Sequence, residues 1–498
     1  MEKNKEKNLI SKPPVVVVVG QVDHGKTSIL DFIRKTKVAE KEIGGITQHI
    51  GAYEIEFQGK KITFIDTPGH EAFSAMRRRG IKVADIGVLV VDATEGVKPQ
   101  TKEAIEVAKN TQLPFIVALN KIDRTMEVRP EEVKKELIKA GVIVESLGGK
   151  IPTIETSAKT GQGIEELLEI ILLMAEIESL KTDLNEPAEG ALIETLLDPQ
   201  KGIMATLILE KGILKKGDII GTPSAIGKIR RINDFQGREI EKAFPAQPIQ
   251  IFGFNELPKI GESFKSFPDL ETAKSQLKKE KEEEKRKVFF IEAEKKVLNI
   301  LLKADVLGSL EAIEDVIKNL PQEEVILRVI ERGIGDVTAK DICLAENAKA
   351  KIFAFRVKID ENAKFLSQQK KIFPKTFKVI YELIEEIRKT MEKLLEPEIK
   401  RIDLAKIKII ALFKKEKEGQ IIGGRVMEGE VIKDVLAEVV RENQIIGKGK
   451  IKRLQEKKED IVSAFKGKEI GILFVGESEI QEGDILIVYK EEIEKKVL

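Results

Sequence analysis

The segment GQVDHGKTS, which directly follows five consecutive valines, constrains this chain more than any other feature. The valines at residues 15–19 form a β-branched apolar run, which predicts a buried parallel strand. The pattern Gly20-x-x-x-x-Gly25-Lys26-Thr27 comes next, followed by an amphipathic helical pattern. Strand, glycine-rich loop and helix in this order are typical of a phosphate-binding loop.

The predicted loop binds phosphate for two physical reasons. Its glycines let backbone N–H groups curl around the phosphates, and the helix N-terminus favours an anion. Lys26 is expected to reach the outer phosphates and Thr27 to bind Mg²⁺. The predicted phosphate-binding residues are Gly20, Gln21, Val22, Asp23, His24, Gly25, Lys26 and Thr27.

Three later motifs identify the nucleotide. Asp66-Thr67-Pro68-Gly69 follows a second apolar strand, so that Asp66 can hold Mg²⁺ through water and Gly69 can offer its amide to the terminal phosphate. Asn120-Lys121-Ile122-Asp123 ends a later strand, and the Asp123 carboxylate can accept both donors of the guanine edge. Ser157-Ala158-Lys159 can contact the guanine oxygen through its backbone. Each motif is weak alone, but four in this order, each after a strand, predict GTP or GDP with Mg²⁺.

The spacing between these motifs predicts the fold of the first domain. Strand patterns near residues 15–19, 62–66, 86–91, 115–119 and 152–156 are separated by helical stretches such as 100–110 and 130–140. Such alternation predicts a doubly wound parallel sheet with the ligand at the carboxyl ends of the strands. We expect this P-loop GTPase domain at residues 13–180, after a tail at 1–12.

The rest of the chain predicts a multidomain α/β plus β protein. Evenly spaced turns predict a β-barrel at residues 187–268, followed by a charged linker at 269–287. A small α/β/α layer domain is expected at 288–372, and a connecting helix with an apolar stripe from Phe377 to Leu394 at 373–397. A second β-barrel is expected at 398–498. Cys343 lies on an apolar helix face, which predicts a buried small hydrophobe.

Composition excludes several classes of protein. The 85 Lys and Arg nearly balance the 84 Asp and Glu, so net charge does not indicate a nucleic-acid partner. The start of the chain has no apolar signal-peptide core, and its apolar runs are too short to span a membrane. A single cysteine suits a reducing compartment. These features predict a cytoplasmic protein.

A family resemblance becomes specific in the loop GGITQHIGAY (44–53), in DTPGHEAF (66–73) and in the following MRRRG. These segments, with residues 198–218, 304–313, 333–341 and 394–399, resemble bacterial translation initiation factor two, in a short form lacking the family's N-terminal region. In GTPases generally a threonine in the first of these loops closes over Mg²⁺ and the terminal phosphate, and Thr47 is the candidate. The resemblance makes His70 the catalytic residue, which the ribosome positions toward the attacking water.

The same resemblance implies a function and partners. The expected function is promotion of initiator tRNA binding to the small ribosomal subunit and of subunit joining, with ribosome-stimulated GTP hydrolysis. Expected partners are the ribosome, formylmethionyl initiator tRNA and other initiation factors, and we expect a monomer without a membrane partner. Two alternatives stay open: another tRNA-delivery or ribosome-remodelling GTPase, and a GTP-sensing binding module with negligible turnover.

Some residues depart from the family pattern or leave two interpretations open. In the last barrel, Gly424 and Ile470 stand where the family has cysteines. Gln455, Glu456 and Lys457 occupy a loop that carries lysine, arginine and an aromatic residue in the family. The basic run at 448–453 is either a contact for tRNA phosphates or a solvated hairpin. For His49, a structural role and a functional role are equally compatible with the sequence. His24 is expected to act mainly through its backbone.

Overall fold

The computed structural model describes residues 9–35, 47, 50–124, 127–198, 201–277, 296–322, 324–395, 398–416, 419–442, 444–457, 459–476 and 478–494. Contacts between residues divide the chain into two units, Met1–Met391 and Glu392–Leu498. His49 lies outside the described residues. Among the described residues, every helix falls short of the length and apolar character that a membrane-spanning helix needs.

The valine run forms the centre of a six-stranded sheet. After the short strand β1 (Leu9–Ser11), the strands are β2 (Val15–Gly20), β3 (Gly51–Phe57), β4 (Lys60–Asp66), β5 (Ile86–Asp92), β6 (Phe115–Asn120) and β7 (Thr153–Glu155). Their order is β3-β4-β2-β5-β6-β7, parallel except for β3, which runs antiparallel to β4. Every residue of β2 is buried, as the uninterrupted apolar run predicts.

Helices join these strands. They are α1 (Lys26–Arg34), α2 (Ser74–Val83), α3 (Pro99–Asn110), α4 (Pro130–Lys139) and α5 (Ile164–Ile177), with 3-10 turns at Glu71–Phe73 and Glu145–Leu147. Pro99 and Pro130 stand in the first turn of their helices, where a missing N–H costs nothing. The predicted GTPase fold is therefore confirmed, with the carboxyl ends of β2, β4, β5 and β6 at one edge.

A closed antiparallel barrel follows. β8 (Lys181–Asp183) pairs with β1, and the next strands are β9 (Glu189–Asp198), β10 (Gly202–Lys211), β11 (Leu214–Lys215), β12 (Ile219–Gly221), β13 (Ile226–Asp234), β14 (Glu239–Ile240), β15 (Lys242–Ala243), β16 (Pro248–Phe254) and β17 (Ser263–Phe267). Six of them form the ring β12-β17-β9-β10-β16-β13, which a β12–β13 pairing closes.

The predicted charged linker begins with an ordered helix, α6 (Leu270–Leu277), which contacts β12 and β17. Ala273 is fully buried, and a Cβ placed on Gly221 would lie 2.6 Å from a methyl carbon of Leu277. Two apolar side chains therefore anchor the start of this segment to the barrel. Residues 278–287 lie outside the described residues.

The next domain has a four-stranded parallel sheet. Its strands are β18 (Lys296–Ala304), β19 (Val325–Ile334), β20 (Lys351–Phe355) and β21 (Lys375–Phe377), in the order β19-β18-β20-β21. Its helices are α7 (Leu307–Lys318), α8 (Ala339–Asn347) and α9 (Glu361–Lys370). The prediction for Cys343 was wrong: Cys343 is exposed, because α8 turns Ile342 and Ala345 inward instead.

Helix α10 (Ile380–Glu392) begins later than the apolar stripe predicted, because Phe377 belongs to β21. Its buried apolar residues are Ile380, Leu383, Ile387 and Met391. Spacings of three and four residues place these side chains on one face, as in a helix that packs one side only.

The C-terminal unit is a second closed barrel. Its strands are β22 (Glu398–Glu416), β23 (Gly419–Ile432), β24 (Val435–Arg441), β25 (Gln444–Glu456), β26 (Glu459–Ile461), β27 (Ser463–Phe465), β28 (Glu469–Gly476) and β29 (Ile485–Glu494). The ring β22-β29-β24-β25-β28-β23 closes through a β22–β23 pairing. The basic run at 448–453 lies within β25, one strand of the β24–β25 hairpin, and Lys448 and Lys450 form ion pairs with Glu438 and Asp434.

Candidate functional site

The loop between β2 and α1 is the one that the sequence predicts to bind phosphate. Gly25 has a φ of 91°, which favours glycine, and a Cβ there would collide with the side-chain amide of Asn120. The Lys26 Nζ donates to the Gln21 carbonyl at 2.6 Å, so the lysine folds back over the loop. Burial lowers the pKa of Lys26 to about 8, an effect that nearby Asp66 opposes. A bound polyphosphate would therefore stabilise the charged lysine.

The loop after β4 closes one side of this site. A Cβ on Gly69 would collide with the Lys26 Nζ, so the Gly69 backbone lies directly against the lysine. Thr67 turns away from the cavity, because its hydroxyl donates to the Val18 carbonyl at 2.9 Å. Thr67 thus holds the loop to the sheet, while Gly69 faces the position expected for the terminal phosphate.

The predicted metal ligands form a set of oxygen donors. The hydroxyls of Thr27 and Thr47 are 2.7 Å apart, although Thr27 lies in the first turn of α1 and Thr47 comes twenty residues later. Asp66 ends β4, is 4% exposed and acts electrostatically on Lys26. Two hydroxyls and a carboxylate are the hard oxygen ligands that suit Mg²⁺ in a site where substrate phosphates and waters complete the coordination. These residues therefore fit the predicted ion.

Asn120 joins the two ends of the nucleotide site. Its side-chain amide donates to the His24 carbonyl at 2.9 Å, and its Oδ1 accepts from the Ala158 N–H at 3.2 Å. One side chain therefore connects the phosphate loop with the predicted guanine-contacting loop. This connection fixes the distance between the sites for phosphate and base.

Asp123 is held ready to accept hydrogen bonds. The Ser157 hydroxyl donates to its Oδ1 at 2.7 Å, and this bond lowers the pKa of Asp123. Ser157 in turn accepts from the Thr160 N–H at 3.2 Å, which holds the serine in place. The predicted base-reading carboxylate is therefore ionised and oriented by its neighbour.

Lys121 is fixed by a residue that the motifs did not indicate. Its Nζ lies 2.7 Å from Oδ2 of Asp92, whose side chain is fully buried. Burial alone would raise the pKa of Asp92, but hydrogen bonds from Lys121 and Thr94 lower it. Lys121 has a φ of 67°, so the ion pair forms where the backbone turns sharply.

The side chain of His24 has a structural role beyond the expected backbone role. Its Nδ1 accepts from the Asp92 N–H at 3.1 Å, and the residue is 1% exposed. Burial lowers the pKa of His24 to about 4. A neutral imidazole thus links the phosphate loop to the end of β5.

His70 is the N-cap of the short 3-10 turn before α2. Its Nδ1 accepts from the Ala72 N–H at 2.8 Å. Arg77, which is 2% exposed, donates to the Pro68 carbonyl at 3.2 Å and to the His70 carbonyl, and forms a 2.5 Å ion pair with Glu103 on α3. Burial and the nearby charge of Arg77 lower the pKa of His70 to about 4. The loop bearing His70 is therefore anchored to a neighbouring helix.

One cavity of about 290 Å³ brings together residues of the predicted phosphate and metal sites, without Asp66, Asn120 or Asp123. It is lined by Val22, Asp23, Gly25, Lys26, Thr27, Ser28, Thr47, Gly69, His70 and Lys121. Sequence reasoning missed Arg77, Asp92 and Gln100, of which Gln100 exchanges hydrogen bonds with the phosphate loop at Gln21 and Val22. Because all three support the loops rather than line the cavity, no motif indicated them. Lys159 is exposed beside Ala158.

Comparison with known proteins agrees with this architecture. Residues 12–176 match the elongation factor Tu GTP-binding domain, 187–267 match elongation factor G domain 2, and 271–388 match translation-initiation factor 2. Translation initiation factor IF-2 of Thermoanaerobacter sp. is 42% identical over 98% of this chain and 72% of its own length. The chain belongs to the translation initiation factor 2 family.

The chain spans only part of the length of the curated relatives it matches. The factor of Carboxydothermus hydrogenoformans is 42% identical over 99% of this chain, which spans 61% of that relative's length. A crystal structure of GDP-bound aIF5B from Aeropyrum pernix is 27% identical with a TM-score of 0.48, covering 96% of this chain and 92% of that chain.

Proposed function

We propose that this protein is a GTP-hydrolysing translation initiation factor that promotes initiator tRNA binding to the small ribosomal subunit and then subunit joining. One observation carries the proposal: in a member of this family, Asn120 connects an intact phosphate loop to the Ser157–Asp123 pair that would read guanine. Proposed partners are the ribosome, formylmethionyl initiator tRNA and other initiation factors. We propose that the protein acts as a monomer in the cytoplasm.

The nucleotide would lie along the loop at residues 20–27 with its base against Asp123. Lys26 and the Gly69 amide would contact the outer phosphates. Thr27 and Thr47 would hold Mg²⁺ directly and Asp66 would hold it through water. When bound, Mg²⁺ neutralises charge that develops on the outer phosphates during transfer.

His70 would position the attacking water instead of removing its proton. A pKa of about 4 keeps the imidazole neutral near pH 7. Because Nδ1 accepts from the Ala72 N–H, the hydrogen of the neutral ring belongs on Nε2, which can only donate. Phosphoryl transfer depends mainly on positioning and charge stabilisation, so a donor that orients the water is sufficient. We propose that ribosome binding aims this donor at the attacking water.

Hydrolysis measured with and without ribosomes tests this proposal. We expect slow turnover alone, on the order of 10⁻⁴–10⁻² s⁻¹ as for switch GTPases lacking an activator, with strong stimulation by ribosomes. Light scattering should show faster subunit joining with GTP than with GDP, provided initiator tRNA is bound. Ribosome stimulation without faster joining would favour another tRNA-delivery or remodelling GTPase. Tight GTP binding without stimulation would favour a binding module.

A further inference from the structure

A groove lies at the amino edge of the four-stranded parallel sheet, away from the nucleotide site. Strands β20 and β21 begin at this edge, and helices α8 and α9 end there. Between them is a cavity of about 560 Å³, whose polar lining includes Lys349, Lys351, Lys371 and Lys375. We call it the amino-edge groove.

The amino-edge groove carries more positive charge than its own carboxylates neutralise. Lys370 forms an ion pair with Glu346 at 2.9 Å, and Lys375 pairs with Glu386. Lys349, Lys351 and Lys371 are exposed and have no carboxylate within 4.0 Å among the residues that the structure describes. Within the described part of the chain, three ammonium groups without a carboxylate partner therefore face one depression.

Helix capping explains only part of this charge. Lys349 and Lys371 follow the last turns of α8 and α9 with φ of 48° and 56°, where cations complement the helix dipole. Lys351 and Lys375 belong to strands, so the dipole does not account for them. The excess of charge at this edge indicates an anionic partner.

An exposed aromatic ring in the groove favours a nucleic acid among the possible anionic partners. Phe373 lines the same groove and is 68% exposed, in a chain where aromatic residues are 5% of the composition. Leaving such a ring in water forgoes the free energy of burying it. A flat apolar surface beside unpaired lysines matches a nucleotide, which has both a base to stack and a phosphate to pair.

We propose that the amino-edge groove binds a single-stranded segment of RNA. Phosphates pair with Lys349, Lys351 and Lys371, and one base stacks on Phe373. This site rests on the proposed function, because the ribosome would be the source of such RNA. It lies outside the nucleotide-binding and C-terminal domains. An acidic polypeptide would use the lysines but would gain nothing specific from the ring.

The test uses the full chain and a fluorescein-labelled oligouridylate of about 12 nucleotides, a length near the site size of single-strand-binding modules. Fluorescence anisotropy across a salt series compares the wild type with Lys351→Glu/Lys371→Glu. The matched control is Lys340→Glu/Lys364→Glu, which changes the same charge on exposed residues of α8 and α9 near their other ends. We expect the groove variant to bind at least tenfold more weakly, while the control retains most of the affinity. Losing two phosphate contacts should reduce the salt slope by about 1.4.

The variant Phe373→Ala distinguishes RNA binding from the binding of other anions. It should weaken oligouridylate binding about tenfold but leave unchanged the binding of a strand of equal length without bases. Three results would overturn the proposal. Phe373→Ala could weaken the binding of both strands equally, or the matched control could lose as much affinity as the groove variant. The third is that polyglutamate binds as tightly as oligouridylate. GTP affinity measured on the same samples should not change in any variant. A wild type that binds RNA through the groove but not GTP would refute the proposed function and leave this site standing.

Discussion

The imidazole of His70 meets the ring of Tyr381 edge to face, with ring centroids 4.0 Å apart and an interplanar angle of 77°. Tyr381 lies on α10 and is 49% exposed. One side of its ring therefore packs against His70 and shields part of the imidazole from water, while the rest of the ring contacts solvent. An aromatic contact of this kind contributes roughly 0.5–1.5 kcal/mol. The proposed catalytic side chain is therefore held by a residue far from it in sequence.

We expect Tyr381→Ala to raise the pKa of His70 from about 4 toward the ordinary value of 6.5, because burial is the main cause of the lowered pKa. Proton NMR titration can follow this change, since the chain has three histidines. Tyr381→Phe keeps the ring and serves as the control, with an unchanged pKa. A titration of Tyr381→Ala that matches the wild type would show that other groups bury His70.

His70→Ala should leave GTP affinity nearly unchanged and abolish ribosome-stimulated hydrolysis. The reason is that His70 is proposed to act on the water and not on the bound nucleotide. Single-turnover hydrolysis on ribosomes measures the rate, and equilibrium titration measures binding. Wild-type hydrolysis by this variant would remove His70 from the mechanism.

Asp123→Asn should change the preferred base from guanine to xanthine. The carboxylate accepts two donors from guanine, and an amide at that position presents a donor that xanthine can accept. A site built on buried hydrogen bonds rejects the mismatched base by about 10⁴-fold. Competition titrations with GTP, XTP and ATP measure this ratio. If wild-type protein binds ATP as tightly as GTP, the guanine assignment is wrong.

His24 should make the first domain less stable in acid. Its pKa is about 4 in the folded state, below the ordinary 6.5, so the unfolded chain binds more protons between these values. Stability from this group is therefore fully present above pH 6.5 and is lost as pH falls toward 4, by about 3 kcal/mol. Hydrogen exchange of β5, corrected for the intrinsic rate at each pH, measures the loss. His24→Asn should remove most of this dependence, and an unchanged profile would assign it to other groups.

Recognition of the formylmethionyl end should be weak. Gly424 and Ile470 pair across β23 and β28, Ile470 is buried in the barrel core, and a Cβ on Gly424 would lie 2.5 Å from Ile407. The positions aligned with the family's cysteines therefore face a filled interior. We expect the full chain to bind formylated and unformylated initiator tRNA with similar affinity. A strong preference for the formylated form that survives replacement of the basic residues at 448–453 by alanine would contradict this.

The sequence alone predicted most residues of the candidate site, because short motifs follow predictable strands. The carboxyl ends of parallel strands meet at one edge, so the order of motifs indicates that Lys26, Asp66 and Asn120 converge. The same local patterns predicted the two barrels and the α/β layers. Their periodicity depends on neighbours within a few residues, which a single sequence contains.

Tertiary structure decided the contacts that hold this site. The contacts of Arg77 with Glu103, of Asp92 with Lys121 and of Tyr381 with His70 each join elements that are distant in sequence. Local sequence patterns do not predict which distant side chain contacts a loop, because such contacts depend on how helices and strands pack. The same packing exposed Cys343, whose helix buries Ile342 and Ala345 instead. Motifs thus determined which residues could bind the nucleotide, while long-range packing determined their orientation, exposure and charge.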